Sequence, residues 1–249
     1  MYDLLLDVIV QRSKHILKDN LTGIYLHGSA AMDCFNPGKS DLDLIVVAEN
    51  HLSKEVKRNY LYMIMSLNPQ APAKGIELSI VMKEVCRVFE YPTPYGLHFS
   101  AAHRKDYQAD PEGYIEKMQG TDRDLAAHFM MIYHRGRTLY GKEIKEVFAE
   151  VDRDCYFDSI MYDVEDAAEQ IVTDPVYIIL NLCRVLAYKR DSRILSKKEG
   201  GEWGLAYLPE KYRGMVSSAL EAYQGTGRMV PDKGLAAGFV EYMLGQVRA

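Results

Sequence analysis

Hydrophobic residues follow two kinds of periodicity along this chain. In the first hundred residues, segments with helical spacing (2–19 and 52–67) alternate with strand-like runs (23–27, 41–47 and 74–85). From about residue 110 onward, helical spacing prevails, and it predicts helices over residues 122–139, 143–149, 156–172, 176–189, 209–223 and 236–247. This pattern predicts an α/β N-terminal domain over residues 1–109, with a mixed sheet flanked by helices. It also predicts an all-α helical-bundle C-terminal domain over residues 110–249.

The third strand-like run contains an acidic residue in an apolar setting. Alternation places Ile76, Leu78 and Ile80 on one face of the predicted strand and Glu77 on the other. A carboxylate in a central strand is costly unless it is paired or bound to a metal. Glu77 is therefore a candidate metal ligand or general base, and the alternative is a glutamate at the exposed edge of the strand. The aromatic-rich segment 86–107 that follows is predicted to be a loop, which either walls a substrate pocket or simply packs.

Two further acids stand at the start of the preceding strand. Asp41 and Asp43 share one face, roughly 6 to 7 Å apart, and they repel each other unless a cation lies between them. Oxygen ligands of this kind suit Mg²⁺. The strand before them ends at Gly28, which has no side chain to obstruct a phosphate, and at Ser29, which offers an N–H and a hydroxyl. The stretch predicts a site for a metal-bound nucleoside triphosphate, and the alternative is a turn followed by two solvent-facing acids.

Composition narrows the class of protein and of partner. The 249 residues are 48% hydrophobic and carry a net charge of −5, which is typical of a soluble globular protein and disfavours a nucleic-acid partner. No apolar run reaches the roughly 20 residues of a membrane span, and the N-terminus lacks signal-peptide features. The four scattered cysteines indicate a reduced, cytoplasmic protein without structural zinc. We expect no membrane partner, a small cationic acceptor, and a monomer or weak homodimer.

Charged residues of the second half supply further candidates. Arg184 lies within an apolar helical run, where it either contacts phosphate or bridges to an aspartate. Lys197 is placed in a loop, where it either contacts phosphate or is simply exposed. Residues 152–174 are strongly acidic, which indicates either attraction of a polycationic ligand or a solvated helix face. Asp174, at a helix-stopping Asp-Pro step, is the acid of this segment assigned to a site.

These features together resemble a known family. Gly28-Ser29, eleven residues, then Asp41-Leu42-Asp43 resembles the signature of the DNA polymerase β-like nucleotidyltransferase superfamily. The order of that unit, the Glu77 strand, the segment DRDLA at 122–126 and the region 184–203 is similar to the aminoglycoside 3″/9-adenylyltransferases, the streptomycin and spectinomycin resistance enzymes. The resemblance implies a nucleotidyltransferase domain followed by a helical domain. It extends over nearly the whole chain.

The resemblance also implies roles for individual residues. Two Mg²⁺ ions would be held by Asp41, Asp43 and Glu77, with Glu77 also the catalytic base and ATP the co-substrate. The positions that match ATP contacts are Ser29, Ser40, Arg184, Lys197 and Tyr223, with Asp122 near the adenosine end. By the same resemblance, Asp174 would contact the amines of the aminocyclitol.

Two departures from the family pattern bear on the acceptor. Members that accept streptomycin as well as spectinomycin have a tryptophan and an aspartate where this chain has Ala102 and Gln170. The resemblance therefore favours the spectinomycin, 9-adenylylating branch. The hypothesis is Mg²⁺-dependent transfer of AMP from ATP to a hydroxyl of an aminocyclitol, with release of pyrophosphate. The alternatives are a nucleotidyltransferase for another small acceptor, such as a lincosamide or a nucleotide, and a non-catalytic nucleotide-binding or antitoxin-like protein.

Overall fold

The structure, a computed structural model, describes residues 2–225 and 227–249. The chain forms two compact units, the first ending at Val151 and the second beginning at Asp152. Within the described ranges, no helix has both the length and the hydropathy needed to cross a membrane. The first unit contains helices and strands, and the second is built from helices.

The first unit alternates strands and helices. Its strands are β1 (Leu21–Leu26), β2 (Leu42–Ala48), β3 (Ile76–Met82), β4 (Thr93–Tyr95), β5 (Leu97–Phe99), β6 (Gly120–Asp122) and β7 (Arg137–Gly141). Its helices are α1 (Asp3–Leu17), α2 (Gly28–Ala31), α3 (Lys54–Leu67), α4 (Lys83–Arg87), α5 (Arg104–Ala109), α6 (Pro111–Lys117), α7 (Leu125–Arg135) and α8 (Ile144–Val147). The predicted mixed sheet flanked by helices is confirmed.

A five-stranded sheet in the order β5-β3-β2-β1-β7 forms the framework of this unit. Strands β2 and β3 run parallel, and the other neighbours are antiparallel. A separate two-stranded sheet pairs β4 with β6. The register of the parallel pair sets Asp43 directly opposite Glu77.

The two faces of the large sheet have different chemistry. One face carries Leu44, Val46, Leu78 and Ile80, which join the buried apolar residues of α1 and α3 in a continuous core. Because side chains alternate along a strand, the opposite face carries Asp43 and Glu77. The alternation predicted from the sequence is therefore confirmed, and the acids lie on the face opposite the main core.

The end of the predicted helix 122–139 is wrong. Helix α7 ends at Arg135, and residues Arg137–Gly141 form strand β7, which pairs with β1 at the edge of the sheet. At Gly141 φ is +91°, and an added Cβ would lie 2.2 Å from the Thr22 carbonyl oxygen. This close approach to β1 overrides the local helical pattern.

The pairing of β7 with β1 also affects the division of the chain. Because β7 completes the sheet of the first unit, the boundary between units falls after Val151 and differs from the predicted boundary between residues 109 and 110. The predicted loop 86–107 likewise includes regular structure. It contains β4, β5 and α5, and β5 forms the other edge of the sheet through pairing with β3.

The second unit is a bundle of helices. They are α9 (Arg153–Tyr162), α10 (Ala167–Gln170), α11 (Pro175–Asp191), α12 (Lys197–Tyr207), α13 (Glu210–Gln224) and α14 (Lys233–Arg248). Helix α11 packs against α9, α12, α13 and α14, and most of its residues are buried. The predicted helical character of this half is confirmed. The predicted third helix, 156–172, is divided into α9 and α10.

Helix α12 begins where the sequence predicted a loop, so the placement of Lys197 in a loop is wrong. Lys197 is the first residue of α12, preceded by the N-cap Ser196. The Ser196 hydroxyl accepts a hydrogen bond from the Glu199 N–H at 3.1 Å, and the Glu199 carboxylate accepts one from the Ser196 N–H at 2.8 Å. This reciprocal capping box satisfies two N–H groups that have no partner within the helix, and the spacing Ser-x-x-Glu was the signal for it in the sequence.

Candidate active site

Three carboxylates meet at the start of β2 and β3, on the face of the large sheet opposite the main core. Each of Asp41, Asp43 and Glu77 offers an oxygen, and these oxygens lie within 4.8 Å of one another. All three residues are half-buried, Asp43 and Glu77 on paired strands and Asp41 just before β2. Such a group of negative charges is stable when a cation or a proton compensates it. The oxygen ligands and their partial exposure suit Mg²⁺ that also binds a substrate phosphate.

The turn after β1 is shaped around one of these carboxylates. The His27 N–H donates to the Asp43 carbonyl oxygen at 3.0 Å, which holds the end of β1 against the start of β2. Gly28 follows with φ +61°, and an added Cβ there would lie 1.9 Å from Asp43 Oδ2. Only glycine adopts this backbone conformation readily and leaves room for the carboxylate. Gly28 is thus placed where the sequence analysis expected, but its nearest neighbour is the acid itself.

The two serines of this region differ in their partners. Ser29 Oγ is buried and has no hydrogen-bond partner among the described residues, so it retains its capacity to bind a ligand oxygen. Ser40 is buried, and its Oγ accepts from the Asn36 N–H at 3.0 Å. Ser40 therefore shapes the loop that leads into Asp41.

Asp122 lies at the end of β6, where its Oδ1 accepts from the Asp124 N–H at 2.9 Å. Burial and the nearby Asp122 carboxylate raise the pKa of Tyr95. Ala102, at the position that bears on acceptor choice, is exposed in the turn between β5 and α5. The structure places Asp122 on β6, which does not belong to the sheet that carries the three carboxylates.

A half-buried histidine near the acids was missed by the sequence analysis. His128 on α7 forms an ion pair with Asp124 at 3.2 Å, and its ring centroid lies 4.6 Å from that of His27. Burial alone would lower the pKa of His128, but Asp124, Glu77 and Asp43 outweigh it and raise the pKa to about 10. His128 therefore adds a positive charge close to the carboxylates. The i,i+4 spacing of Asp124 and His128 was the available signal.

A second histidine was also missed, on the edge strand beside Glu77. His98 of β5 is directly opposite Ser79 of β3, and its Nδ1 shares a 2.8 Å hydrogen bond with the Ser79 hydroxyl. Ser79 is two residues from Glu77, so both point to the same face of the sheet. Burial, followed by the neighbouring His103 and His128, lowers the pKa of His98 to about 4. His98 is therefore neutral near pH 7.

In the second unit, Arg184 is held by two acceptors from the protein. Its Nε donates to the Leu195 carbonyl oxygen at 2.8 Å, and its Nη1 donates to Asn181 Oδ1 at 2.7 Å. Within residues 2–225 and 227–249, no carboxylate forms an ion pair with Arg184. The aspartate bridge considered from the sequence is thus absent there.

The two other predicted ATP contacts of this unit lie on helices. Lys197 opens α12, and its Nζ lies 5.0 Å from the centroid of the Tyr177 ring. Tyr223 lies near the end of α13 and is 9% exposed. Lys197 is therefore part of a cation–π contact, whereas most of the surface of Tyr223 is packed inside the unit.

Asp174 caps the helix that carries Arg184. Its Oδ1 accepts from the Tyr177 N–H at 3.3 Å, at the start of α11. The same residue lines an open cavity of about 370 Å³. The cavity is lined by Tyr162, Asp163, Glu165, Asp166, Gln170, Asp174 and Tyr177. The acidic segment predicted from the sequence thus contributes four carboxylates to one concave surface.

Comparisons with known proteins agree with this architecture. The nucleotidyltransferase domain model matches residues 7–92, and the model of the aminoglycoside adenylyltransferase C-terminal domain matches residues 146–246. A spectinomycin 9-adenylyltransferase from Campylobacter jejuni is 22% identical over 247 residues, which cover 96% of this chain and 93% of the relative. Another, from Enterococcus faecalis, is 24% identical over 217 residues, which cover 85% and 83%.

The fold is also similar to a solved structure. A crystal structure of a spectinomycin adenyltransferase from Enterococcus faecalis, with ATP and spectinomycin, matches with a TM-score of 0.84 over 99% of both chains at 20% identity. The mixed sheet with its three carboxylates, matched by the nucleotidyltransferase domain model, defines a nucleotidyltransferase. More narrowly, residues 146–246, which make up nearly all of the second unit, match the C-terminal domain of the aminoglycoside adenylyltransferases.

Proposed function

We propose that this chain transfers AMP from ATP to a hydroxyl of spectinomycin and releases pyrophosphate. The relatives it matches over most of its length are spectinomycin 9-adenylyltransferases, and the similar solved structure contains both ATP and spectinomycin. The reaction requires a site that binds a triphosphate and a group that accepts the proton of the acceptor hydroxyl. The protein operates in the cytoplasm, where ATP is available.

The convergence of Asp41, Asp43 and Glu77 is the observation that carries the proposal. Their oxygens lie within 4.8 Å of one another, a spacing at which unshielded carboxylates repel strongly. The donor set fits Mg²⁺, and the three residues together would hold two such ions. When bound, Mg²⁺ neutralises charge that develops on the transferred phosphoryl group.

Glu77 is assigned the role of general base. Its carboxylate takes the proton from the acceptor hydroxyl while the hydroxyl oxygen forms a bond to the α-phosphorus of ATP. The bond between the α-phosphorus and the bridging oxygen to the β-phosphate breaks, and pyrophosphate leaves with that oxygen. General base catalysis of this kind contributes about 10²- to 10⁴-fold in rate. His128, charged and close to Glu77 and Asp43, limits the repulsion among the acids before substrate binds.

Binding of the nucleotide is assigned to a glycine and to polar and charged side chains. Gly28 and Ser29 offer close backbone approach and an unpartnered hydroxyl, while Arg184 and Lys197 offer cations for phosphate oxygens. The remaining assigned nucleotide residues are Ser40, Asp122 and Tyr223. Of these, Ser40 acts by shaping the loop before Asp41.

Recognition of the acceptor is assigned to the acidic cavity that contains Asp174. Its four carboxylates create a negative field that attracts the amines of an aminocyclitol. Gln170 lines the same cavity, at the position where family members that also accept streptomycin carry an aspartate. Together with Ala102, this neutral residue favours spectinomycin as the acceptor.

The test is a pyrophosphate-release assay with ATP, Mg²⁺ and three separate acceptors: spectinomycin, streptomycin and lincomycin. Release with spectinomycin that ceases when Mg²⁺ is chelated supports the proposal. Pyrophosphate release with lincomycin alone would support a nucleotidyltransferase but would show that spectinomycin is not its acceptor. ATP binding without pyrophosphate release on any acceptor would favour a nucleotide-binding protein instead.

A further inference from the structure

A polar side chain is buried in the apolar interior of α11. Asn181 lies between Leu180 and Leu182 and is 1% exposed. Its Oδ1 accepts the hydrogen bond from Arg184 Nη1, three residues later on the same face of the helix. Asn181 thus contacts a residue of the proposed ATP site while being itself too deeply buried to reach solvent.

The contacts of Arg184 leave part of its guanidinium available. A guanidinium has five N–H donors. Two of them are used, one for Asn181 and one for the Leu195 carbonyl oxygen. The other three have no partner among the described residues. The side chain is therefore held at two points of its planar head, while donors remain for phosphate oxygens, which guanidinium groups bind in pairs.

Close packing of α12 restricts the rest of the Arg184 side chain. A Cβ added at Gly200 would lie 2.6 Å from Arg184 Cγ and 3.2 Å from the Leu180 carbonyl oxygen. The methylene stem of Arg184 therefore runs against the backbone of α12. With its stem confined and its head bonded twice, Arg184 loses little further rotamer freedom when it binds an anion.

The amide of Asn181 is poorly used as a structural group. Asn181 Nδ2 is buried and has no hydrogen-bond partner in the described part of the chain. A buried amide N–H without a partner is unfavourable, and a leucine at an apolar helix position avoids that loss. The oxygen of the amide must face the guanidinium, because the amide nitrogen is a donor and cannot accept a hydrogen bond from Arg184. The residue thus reduces stability while it fixes Arg184.

We propose that Asn181 is a positioning residue for ATP binding, which acts by holding the guanidinium of Arg184 in the orientation that accepts the triphosphate. The inference rests on the proposed function, in which Arg184 binds phosphate. Asn181 itself touches neither substrate.

The test measures the dissociation constant of the non-transferable analogue α,β-methylene-ATP, with Mg²⁺, by calorimetry on the full chain. We expect Asn181→Leu to raise it by about 3- to 10-fold, the equivalent of one hydrogen bond. The thermal midpoint of Asn181→Leu is expected to stay constant or rise, because the unpartnered amide is gone. Asn181→Ala, which also lacks the acceptor but leaves a cavity, is expected to raise the constant equally while lowering the midpoint.

A double-mutant cycle separates positioning from general packing. In an Arg184→Ala background, Asn181→Leu is expected to have no further effect on the dissociation constant, because its action passes through Arg184. An equal loss in that background, or a loss that follows the thermal midpoint across the variants, would overturn the inference. The inference also fails if Asn181→Leu binds the analogue as the parent does while Arg184→Ala binds it weakly, but the proposed function then stands. Parental binding by Arg184→Ala would instead remove Arg184 from the ATP site, and the inference with it.

Discussion

The two units of this enzyme place their charged residues by different means. In the first unit, strand register places the acids, because the parallel pairing of β2 and β3 sets Asp43 opposite Glu77 on one face of the sheet. In the second unit, helix packing positions Arg184, because its side chain donates a hydrogen bond to the carbonyl oxygen of Leu195, a residue that precedes α12. The face on which the acids lie follows from the alternation of side chains along a strand, which is visible in the sequence. The surroundings of the arginine depend on contacts between helices.

This contrast indicates which positions are sensitive in each unit. A sheet site depends on the backbone around its strands, so the sensitive positions are the acids themselves and the tight turn at Gly28. A helix site depends on the caps and on the neighbours that hold a long side chain, such as Ser196 and Asn181. Substitutions in the first unit should therefore affect chemistry most, and those in the second unit should affect affinity and stability more gradually.

The strongest test of the sheet site is Glu77→Gln. We expect turnover to fall by about 10²- to 10⁴-fold, because glutamine accepts no proton from the acceptor hydroxyl. The fold and most of the ATP affinity should be retained, since the side chains are nearly equal in size. Pyrophosphate release measures turnover, and circular dichroism controls for folding. A variant with near-parental turnover would exclude Glu77 as the base.

Gly28→Ala tests the turn that surrounds Asp43. The left-handed backbone costs alanine about 1 to 2 kcal/mol, and its Cβ would in addition collide with the carboxylate. We expect lower resistance to urea and a large loss of turnover. Gly214→Ala is the matched control, because a Cβ there meets nothing within 4 Å inside α13, and it should stabilise by about 0.5 to 1 kcal/mol. Equal stability of the two variants would contradict the conclusion that the turn around Asp43 requires glycine at position 28.

The stability of the folded protein should depend on pH through His98, at the edge of the sheet. Its folded-state pKa is lowered to about 4 from the ordinary 6.5, first by burial, so between these values the unfolded chain binds a proton that the folded chain does not. The contribution to stability is therefore complete above pH 6.5 and is lost as the pH falls towards 4, by about 2 to 3 kcal/mol.

This dependence is measured as the difference in thermal midpoint between pH 7.5 and pH 4.5. His98→Gln should reduce that difference, because glutamine does not titrate. The exposed His51 provides the control, and His51→Gln should leave the difference as it is in the parent. If the difference in thermal midpoint is as large in His98→Gln as in the parent, the pH dependence comes from other groups.

The smallest expected effect concerns the cap of α12. Ser196→Ala removes the side chain that accepts the Glu199 N–H, and loss of such a cap costs about 1 kcal/mol. Because Lys197 is the next residue, we also expect ATP affinity to weaken slightly. Urea unfolding and calorimetry measure the two effects. Ser218→Ala, at an exposed position in the middle of α13, is the control and should change neither.

Much of this protein could be predicted from local patterns. The alternation at residues 76–81 indicated which face of β3 is buried, and the spacing of Gly28, Asp41 and Asp43 indicated a shared acidic site. These predictions succeed because a strand has a period of two, so neighbouring letters specify opposite faces. The superfamily motif was recognisable because Gly28-Ser29 and Asp41-x-Asp43 lie close together in the sequence, at the end of one strand and the start of the next.

Other features were decided by contacts between segments distant in sequence. Residues 137–141 continue a helical pattern, yet they form a strand because β1 offers a free edge, and that pairing also moves the division between units to Val151. Burial lowers the pKa of His128 and its neighbour Asp124 raises it, but Glu77 and Asp43, which raise it further, come near only through the fold. The hydrogen bond from Arg184 Nε to the Leu195 carbonyl oxygen likewise exists only after α12 packs against α11. Local spacing determines which way a side chain points, whereas its neighbours, and hence its charge and freedom, are determined only when the segments meet.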